Sequence, residues 1–388
     1  MFRPLSVQKD PKSVKIAVIT ESFLPHLNGV TNSVIRVVRY LKAEGHDVVI
    51  ISPTRTEESF EGIPVRTVPS IPFAQFNVGM PSTNLTAILD AEAPELLHVA
   101  SPFALGAQAI NYASRKEIPS VAIYQTDVAG YFERYGMKVA RGWIEKFIAS
   151  VHSSATITLA PTPLGVTYLT GLGIKNVAEW GRGVDIEQFH PNHRLSPETI
   201  QLRTSLAPRG EKVIGYVGRL APEKQVHRFA ELLAIPDTHI LIVGDGPERE
   251  RLSKQLPSSR VTFAGPLSGE ALGHAYGAMD VFVHFGTEET FGQTIQEAHA
   301  AGLPVVAPAA GGPLHLVEHG VDGYLFDPDQ SDEPRKLVNA LISDLASRAR
   351  MGEAGRRRVL GRTWTALNAE LTRHYLKAKS KASRRARV

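Results

Sequence analysis

Two glutamates eight residues apart, Glu289 and Glu297 in GTEETFGQTIQEAHAAG (286–302), and two cations five apart, Arg219 and Lys224 in GRLAPEK (218–224), have the types and spacing to do chemistry. Paired carboxylates invite an acid/base reading. At about 100° per residue, however, eight helical steps leave them roughly 80° apart, so they do not share a face. The two cations suit an anion. An arginine fork and a lysine point charge on one loop can reach the same diphosphate. Thr290, Phe291 and Gly292 form a small turn behind Glu289, and Thr290 with Gln293 fits a capping box, the hydroxyl capping the helix and the amide reaching back. The first backbone N–H groups of that helix, at Gly292, Gln293 and Thr294, then favour a phosphate. A plainer account exists for each feature: an isolated E-x7-E also describes a surface helix with an acidic first turn, and Lys224 can simply pair with Glu223 in a solvated loop.

Further polar groups follow apolar runs. Gln125, Thr126 and Asp127 come directly after VAIY, although a turn or helix cap also accounts for Asp127. Gly29, in ESFLPHLNGVTNS, can bring bare backbone close to an anion, but the loop is not G-x-G-x-x-G. The turn from Gly265 to Leu267, in FAGPLSGEAL, is rich in backbone groups and suited to the flat edge of a base. GDGPER (244–249) reads as a tight turn into a helix. His26 and His98 read as core or capping residues. No Asp-x-Asp pair is present to hold a metal, and no metal or other cofactor is expected.

The elements that must position these residues alternate. Lys15 to Thr20 is a short apolar strand of the kind buried in a parallel sheet. An amphipathic helix follows from about Asn32 to Glu44, closed by Gly45. VVIISP is the next strand, then Leu96 to Ala100, a helix from Phe103 to Glu117, strands at Val121 to Tyr124 and Ala155 to Ala160, and a helix capped by Thr162 that ends near Gly171. From Asp185 to Gly210 the chain is polar and proline-bearing and reads as a linker. A second alternating series then has strands at Val213 to Val217, His239 to Val243, Val261 to Phe263, Val281 to Phe285 and Val305 to Ala307. This pattern predicts an α/β fold of two Rossmann-like parallel-sheet domains facing a deep cleft, with ligands beyond the carboxyl ends of the strands. The expected division is 1–190 and 191–388, the second domain carrying the C-terminal helices and a basic tail.

Composition narrows the function classes. A chain of 388 residues is too long for one ordinary core,. The absence of cysteine excludes disulfides, thiolate metal sites and thiol nucleophiles,. The N-terminus is polar and does not read as a signal peptide, and no apolar run approaches the roughly 20 residues of a membrane span. A cytoplasmic protein is expected. The net charge of +4 is unevenly placed: residues 371–388 carry seven Lys or Arg and no acid, so +4 less seven leaves −3 for residues 1–370. KAKSKASRRARV reads as a frayed, solvated end attracted to an anionic surface. Arg134, Lys138 and Arg141 recur at helical spacing between Glu133 and Ser150, among Tyr135, Val139, Trp143, Phe147 and Ile148. That suits a helix on a membrane interface, and equally one packed on its own domain.

The order of these motifs across nearly the whole chain resembles the retaining glycosyltransferases of family four, built on the GT-B architecture. YQTDVAGYFERYG from Tyr124, WGRGVD from Trp180 and PAAGGPLHLV from Pro308 are similar to the actinobacterial GDP-mannose-dependent α-mannosyltransferases that act on glycolipids, and more loosely to plant-type sulfoquinovosyl transferases. The resemblance implies that Arg219 and Lys224 hold the donor diphosphate with the Gly29 backbone and the Gly292 to Thr294 helix end. It places Glu289 at the donor sugar, Glu297 at the ribose hydroxyls and Gly265 to Leu267 at the base. The N-terminal domain would take the acceptor.

One departure matters. Many members of the wider family carry a histidine where this chain has Gln125, and a glutamine cannot take or give a proton near neutral pH, so Gln125 and Asp127 are expected to position the donor. The implied reaction transfers α-mannose from GDP-mannose to a lipid-linked, glycolipid or phosphatidylinositol-type acceptor, on the inner face of the cell membrane, by a peripherally bound monomer without a nucleic-acid partner. The alternatives are a UDP-sugar hexosyl or sulfoquinovosyl transferase acting on diacylglycerol, and a sugar-nucleotide epimerase of the same shape. A nicotinamide-dependent dehydrogenase is opposed by the missing glycine fingerprint and the absent acid about 20 residues beyond it.

Overall fold

The computed structural model describes residues 13–25, 28–53, 57–73, 76–79, 83–100, 102–125 and 141–385. Asp127, Thr126, His26, Arg134 and Lys138 lie outside these residues. The chain forms two compact units, Met1–Gly181 with Leu367–Val388, and Arg182–Ala366.

The strands in chain order are β1 Lys15–Thr20, β2 Asp47–Ser52, β3 Ser59–Phe60, β4 Ile63–Thr67, β5 Ser70–Phe73, β6 Phe76–Gly79, β7 Leu96–Ala100, β8 Ser120–Ile123, β9 Ile157–Ala160 and β10 Val177–Glu179 in the first unit. The second unit has β11 Lys212–Val217, β12 Thr238–Val243, β13 Val261–Gly265, β14 Val281–Val283, β15 Val305–Pro308 and β16 Gly323–Phe326. Among the described residues the first sheet runs β10-β9-β8-β7-β1-β2-β4-β3 and the second β13-β12-β11-β14-β15-β16, while β5 and β6 pair separately. All pairs of the second sheet are parallel. Strands such as IAVIT and VVIIS read as unbroken apolar runs because helices cover both faces, and they are buried throughout,.

In the first unit the strand order reverses beside β1, which lies between β2 and β7. Glu21, one residue beyond β1, accepts from the backbone N–H groups of Phe103 (3.1 Å) and Gly106 (3.0 Å). A carboxylate there satisfies the start of the Ala104–Arg115 helix, whose own N-cap, Phe103, has no side chain to do so,. The helix of Gly29–Ala43 starts three residues earlier than the sequence pattern suggests. Its cap is Asn28, whose side chain accepts from Val30 N and Thr31 N,.

Three expectations need correction. The stretch from Asp185 to Gly210 is not a linker: it holds a 3₁₀ turn at Pro191–Leu195 and a helix at Pro197–Leu206. Both are tied to the second unit by the buried Asp280, which accepts from Arg194 Nη2 (2.6 Å), Arg203 Nη1 (3.1 Å) and the Val213 amide (2.9 Å). The units accordingly divide at Gly181 rather than at 190.

Second, the last helix, Trp364–Arg385, belongs with the first unit from Leu367 onward. Leu371, Tyr375 and Ala378 are buried in that unit's core cluster, where each large side chain contributes about 2 kcal/mol by leaving water. Trp180 Nε1 donates to Leu367 O, and the Tyr375 hydroxyl lies 2.8 Å from His98 Nδ1. Third, the basic end is helical through Arg385 rather than frayed, with Lys379 on Glu95 (3.1 Å) and Lys381 on Asn176 (2.6 Å).

The described part of the expected basic stripe is a helix at Arg141–Ser154. It buries Ile148, Val151 and His152, while Trp143 is 76% exposed and Phe147 37%. Among the described residues no helix is long and apolar enough to cross a membrane.

Candidate active site

In the second unit the strand order reverses between β11 and β14, which pair directly. A parallel sheet opens a crevice at such a point, beyond the carboxyl ends of the two strands. The chain leaves β11 as Gly218-Arg219 and enters a 3₁₀ turn at Pro222–Lys224. It leaves β14 through His284 to Glu289 and enters the Gln293–Ala300 helix. Arg219, Lys224 and Glu289 therefore emerge from the two strands that flank the reversal.

The two cations have separate partners. Arg219 Nη2 donates to Glu223 Oε1 (2.6 Å), while Lys224 Nζ pairs with Glu289 Oε2 across 65 residues of sequence. The pairing of Lys224 with Glu223 considered from the sequence does not form. Lys224 and Glu289 keep 20% and 19% of their side chains exposed, so a ligand can reach the pair. Burial pushes the Glu289 carboxyl up, but Lys224, His284 and Arg182 outweigh it and hold it below the usual glutamate range. His284 Nε2 lies 3.6 Å from Glu289 Oε2. Burial brings the imidazole down to about 4, so it is neutral at pH 7 and sits as a polar wall. The Tyr216 hydroxyl, at the end of β11, donates to Arg219 O (3.0 Å) and anchors that loop.

The capping box at Thr290 and Gln293 is absent. The helix starts from Gly292 in a left-handed conformation (φ 98°) with no side-chain cap. A hydroxyl cap requires an extended residue immediately before the helix, and the left-handed glycine at that position removes it. Gln293 Nε2 instead donates to Gly183 O (3.0 Å), and Gln296 Nε2 to Arg182 O (2.9 Å), sewing the helix to the GRGVD segment. The first amides of this helix therefore receive no side-chain cap from the residue before it.

Glu289 is also held from behind. Gly312 N donates to Glu289 O (2.6 Å), and a Cβ on Gly312 would meet Phe291 O at 2.1 Å. A Cβ on Gly311, at φ 59°, would meet Glu289 O at 2.6 Å. The glycine pair in PAAGGPL is thus there for close approach. Glu297 lies one helical turn and more beyond Gly292 and accepts from the Tyr276 hydroxyl (2.9 Å). Arg182 faces both acids: burial lowers its guanidinium to about 10, and Glu289 and Glu297 pull it back up. Gly265 ends β13 at φ 72° with open space where a Cβ would stand, and Leu267 packs on the core beneath that turn.

The second unit therefore brings Arg219, Lys224, Glu289, Gly292 and Glu297 around one sheet reversal, with Phe291 buried under them. Gln125, half-buried just beyond β8, and Gly29 belong to the first unit. Arg182, Tyr276 and His284 were not singled out from the sequence. Arg182 stood in the WGRGVD segment but was given no role of its own, and Tyr276 and His284 read as ordinary helix and strand residues. Among the described residues no group of three or more His, Asp or Glu could hold a metal ion.

The model of glycosyl transferases group 1 matches residues 198–358, and that of glycosyltransferase family 4 matches residues 27–188. The GDP-mannose-dependent alpha-mannosyltransferase of Mycolicibacterium smegmatis is 43% identical, covering 93% of this chain and 97% of that protein. The chain belongs to glycosyltransferase family 4. A second relative of this glycosyltransferase, the GDP-mannose-dependent alpha-mannosyltransferase of Corynebacterium glutamicum, is 39% identical over 94% of the chain and 89% of its own length. Anabaena HepE in complex with UDP superimposes with a TM-score of 0.79 at 21% identity, covering 94% of this chain and all of that one, which establishes the shared GT-B fold. The expected α/β architecture of two parallel-sheet, Rossmann-like domains is the one observed.

Proposed function

We propose that this glycosyltransferase moves α-mannose from GDP-mannose to a lipid-linked acceptor with retention of configuration. The observation that carries the reading is the grouping of Arg219, Lys224, Glu289 and the uncapped Gly292 helix end at one sheet reversal, two cations and a helix dipole for a diphosphate beside a carboxylate for a sugar,. The near full-length similarity to the mannosyltransferases supports GDP-mannose as the donor.

In this reading Glu297 accepts the ribose hydroxyls, the Gly265 to Leu267 turn takes the base, Gly29 assists at the diphosphate, Gln125 and Asp127 position the donor, and the N-terminal domain takes the acceptor. The C1–phosphate bond breaks and the C1–acceptor oxygen bond forms on the same face. The acceptor proton passes to the leaving phosphate, and GDP departs. The protein supplies charge stabilisation of the diphosphate rather than a base, which Arg219 and Lys224 can do without a metal ion. The enzyme works as a monomer on the cytoplasmic membrane face. Trp143, exposed with the Lys146 ammonium 5.5 Å above its ring, supports interfacial binding,.

Incubation with labelled GDP-mannose and membrane lipid extract tests this. A labelled glycolipid sensitive to α-mannosidase is expected; transfer from a UDP-sugar instead would sink the donor assignment.

A further inference from the structure

His284, the residue after β14, is 2% exposed, and among the described residues neither of its ring nitrogens has a hydrogen-bond partner. A buried polar group left that way costs stability and calls for an explanation. The Gly286 backbone faces the ring, outside hydrogen-bond geometry. The nearest acid is Glu289: His284 Nε2 lies 3.6 Å from Glu289 Oε2, the same oxygen that pairs with Lys224 Nζ. An N–H···O bond closes at about 2.9 Å, so a movement of roughly 0.7 Å separates imidazole and carboxylate from bonding. The ring is boxed in. It lies parallel to Tyr216 (17°, centroids 6.4 Å apart), which is itself held edge-on by Phe229 (5.7 Å) and by its hydroxyl on Arg219 O. The movement therefore falls to Glu289, on the loop beyond the strand.

We propose that His284 is a positioning residue that takes Glu289 over from Lys224: when a diphosphate draws the ammonium away, the carboxylate closes onto His284 Nε2–H and stays fixed beside the donor sugar. Loss of Lys224 would leave a carboxylate with only 19% of its side chain exposed, and a largely buried charge stripped of its partner is costly,. An imidazole with its proton on Nε2 offsets that cost through a charge-assisted hydrogen bond. Being neutral, it does this without adding a cation to compete with Lys224 for the phosphates. Arg182 also faces the carboxylate and supplies charge throughout; the exchange concerns the one oxygen that Lys224 and His284 share. The inference rests on the reading of Lys224 at the diphosphate and Glu289 at the sugar. It adds that the acid has a second donor waiting behind it.

Calorimetry with GDP tests this on the wild-type enzyme, His284→Phe, His284→Gln, Glu289→Gln and the double variant Glu289→Gln/His284→Phe, with Lys224→Ala reporting on the underlying reading. Phenylalanine fills the place of the ring and donates nothing, whereas glutamine can set an amide N–H near the position of Nε2. His284→Phe should bind GDP about tenfold more weakly, the effect of losing a hydrogen bond to a charged group, and His284→Gln should stay within about threefold of wild type. On the Glu289→Gln background the phenylalanine should change GDP affinity by less than about threefold, because no charged carboxylate is left to be held. His284→Asn, whose amide ends near the Nδ1 position, is a second variant without a donor toward Glu289 and should behave as the phenylalanine does; urea midpoints establish that each variant is folded. Wild-type affinity in His284→Phe and His284→Asn overturns the handover and leaves Lys224 at the diphosphate. A full tenfold loss on the Glu289→Gln background overturns it too, since the effect then does not pass through the carboxylate. So does a His284→Gln as weak as the phenylalanine. Lys224→Ala binding GDP as tightly as wild type overturns the underlying reading itself.

Discussion

Lys224 and Glu289, from loops that follow different strands, form an ion pair at the reversal of the second sheet. The cation expected to hold the donor diphosphate and the acid expected to hold the donor sugar are each other's counter-ions before either meets the donor. In the proposed reading, binding exchanges one anion for another at Lys224, and a ligand carrying both phosphate and sugar hydroxyls replaces both halves of the pair.

Replacing Glu289 by Gln should therefore separate product from substrate. Without its carboxylate rival, Lys224 is a stronger anion site, and GDP should bind about three- to tenfold more tightly, the scale of a partly exposed ion pair. Transfer should fall by about a hundredfold. Calorimetry with GDP, alongside initial rates, checks this; weaker GDP binding in the variant would refute the exchange.

Arg219→Ala and Lys224→Ala should each reduce kcat by on the order of 10²–10³, as expected for removing one preorganised donor to a developing negative charge. Arg219→Lys should recover only part of the loss because an ammonium cannot match the guanidinium fork. Steady-state rates with near-normal turnover in both alanine variants would remove the diphosphate assignment.

Gly312→Ala tests the support behind Glu289. The added methyl would meet Phe291 O at 2.1 Å, so the 289–291 loop must shift. A loss of about 1–3 kcal/mol in stability is expected, together with a drop in kcat. A variant with an unchanged urea midpoint and full activity would show that the loop is not held there.

Stability should fall as the solution is acidified. Burial lowers His98 to about 3 and His152, His284 and His299 to about 4. These imidazoles stay neutral in the folded chain between pH 6.5 and 4, while the unfolded chain protonates them. Unfolding thus takes up protons, and stability rises with pH across this window. Glu289 and Asp280, both held below the usual range despite burial, act in the same direction because they lose their ion pairs when protonated. Urea midpoints from pH 4.5 to 7 should climb steadily; a flat profile contradicts the burial of these histidines.

Trp143→Ala should weaken binding to anionic vesicles while leaving GDP affinity untouched, since the ring is 76% exposed and lies on the first unit,. Sedimentation with vesicles of phosphatidylglycerol and phosphatidylcholine measures it, and equal binding would argue against this helix as the contact.

The chain by itself determined its alternation of strands and helices, because runs such as IAVIT, THILIV and VVAP carry their burial in local composition and their ends in glycines and caps. From that alternation came two parallel sheets and the placing of Arg219, Lys224 and Glu289 beyond strand ends. The short strands Ile63–Thr67 and Gly323–Phe326 were not legible, since a proline or glycine interrupts their pattern and only neighbouring strands hold them extended,. The polar text from Asp185 to Gly210 looked like a linker because its anchor, Asp280, is more than 75 residues away from Arg203 and Arg194. Partnership was the decision of the tertiary structure. Lys224 has a glutamate as its immediate neighbour and pairs with another 65 residues on, Gln293 gives up its capping box for a carbonyl at Gly183, and Tyr276 meets Glu297 only when two helices pack. Local propensity states which groups need a partner. Which partner each one receives depends on packing that brings distant segments together, and no spacing along the chain encodes it.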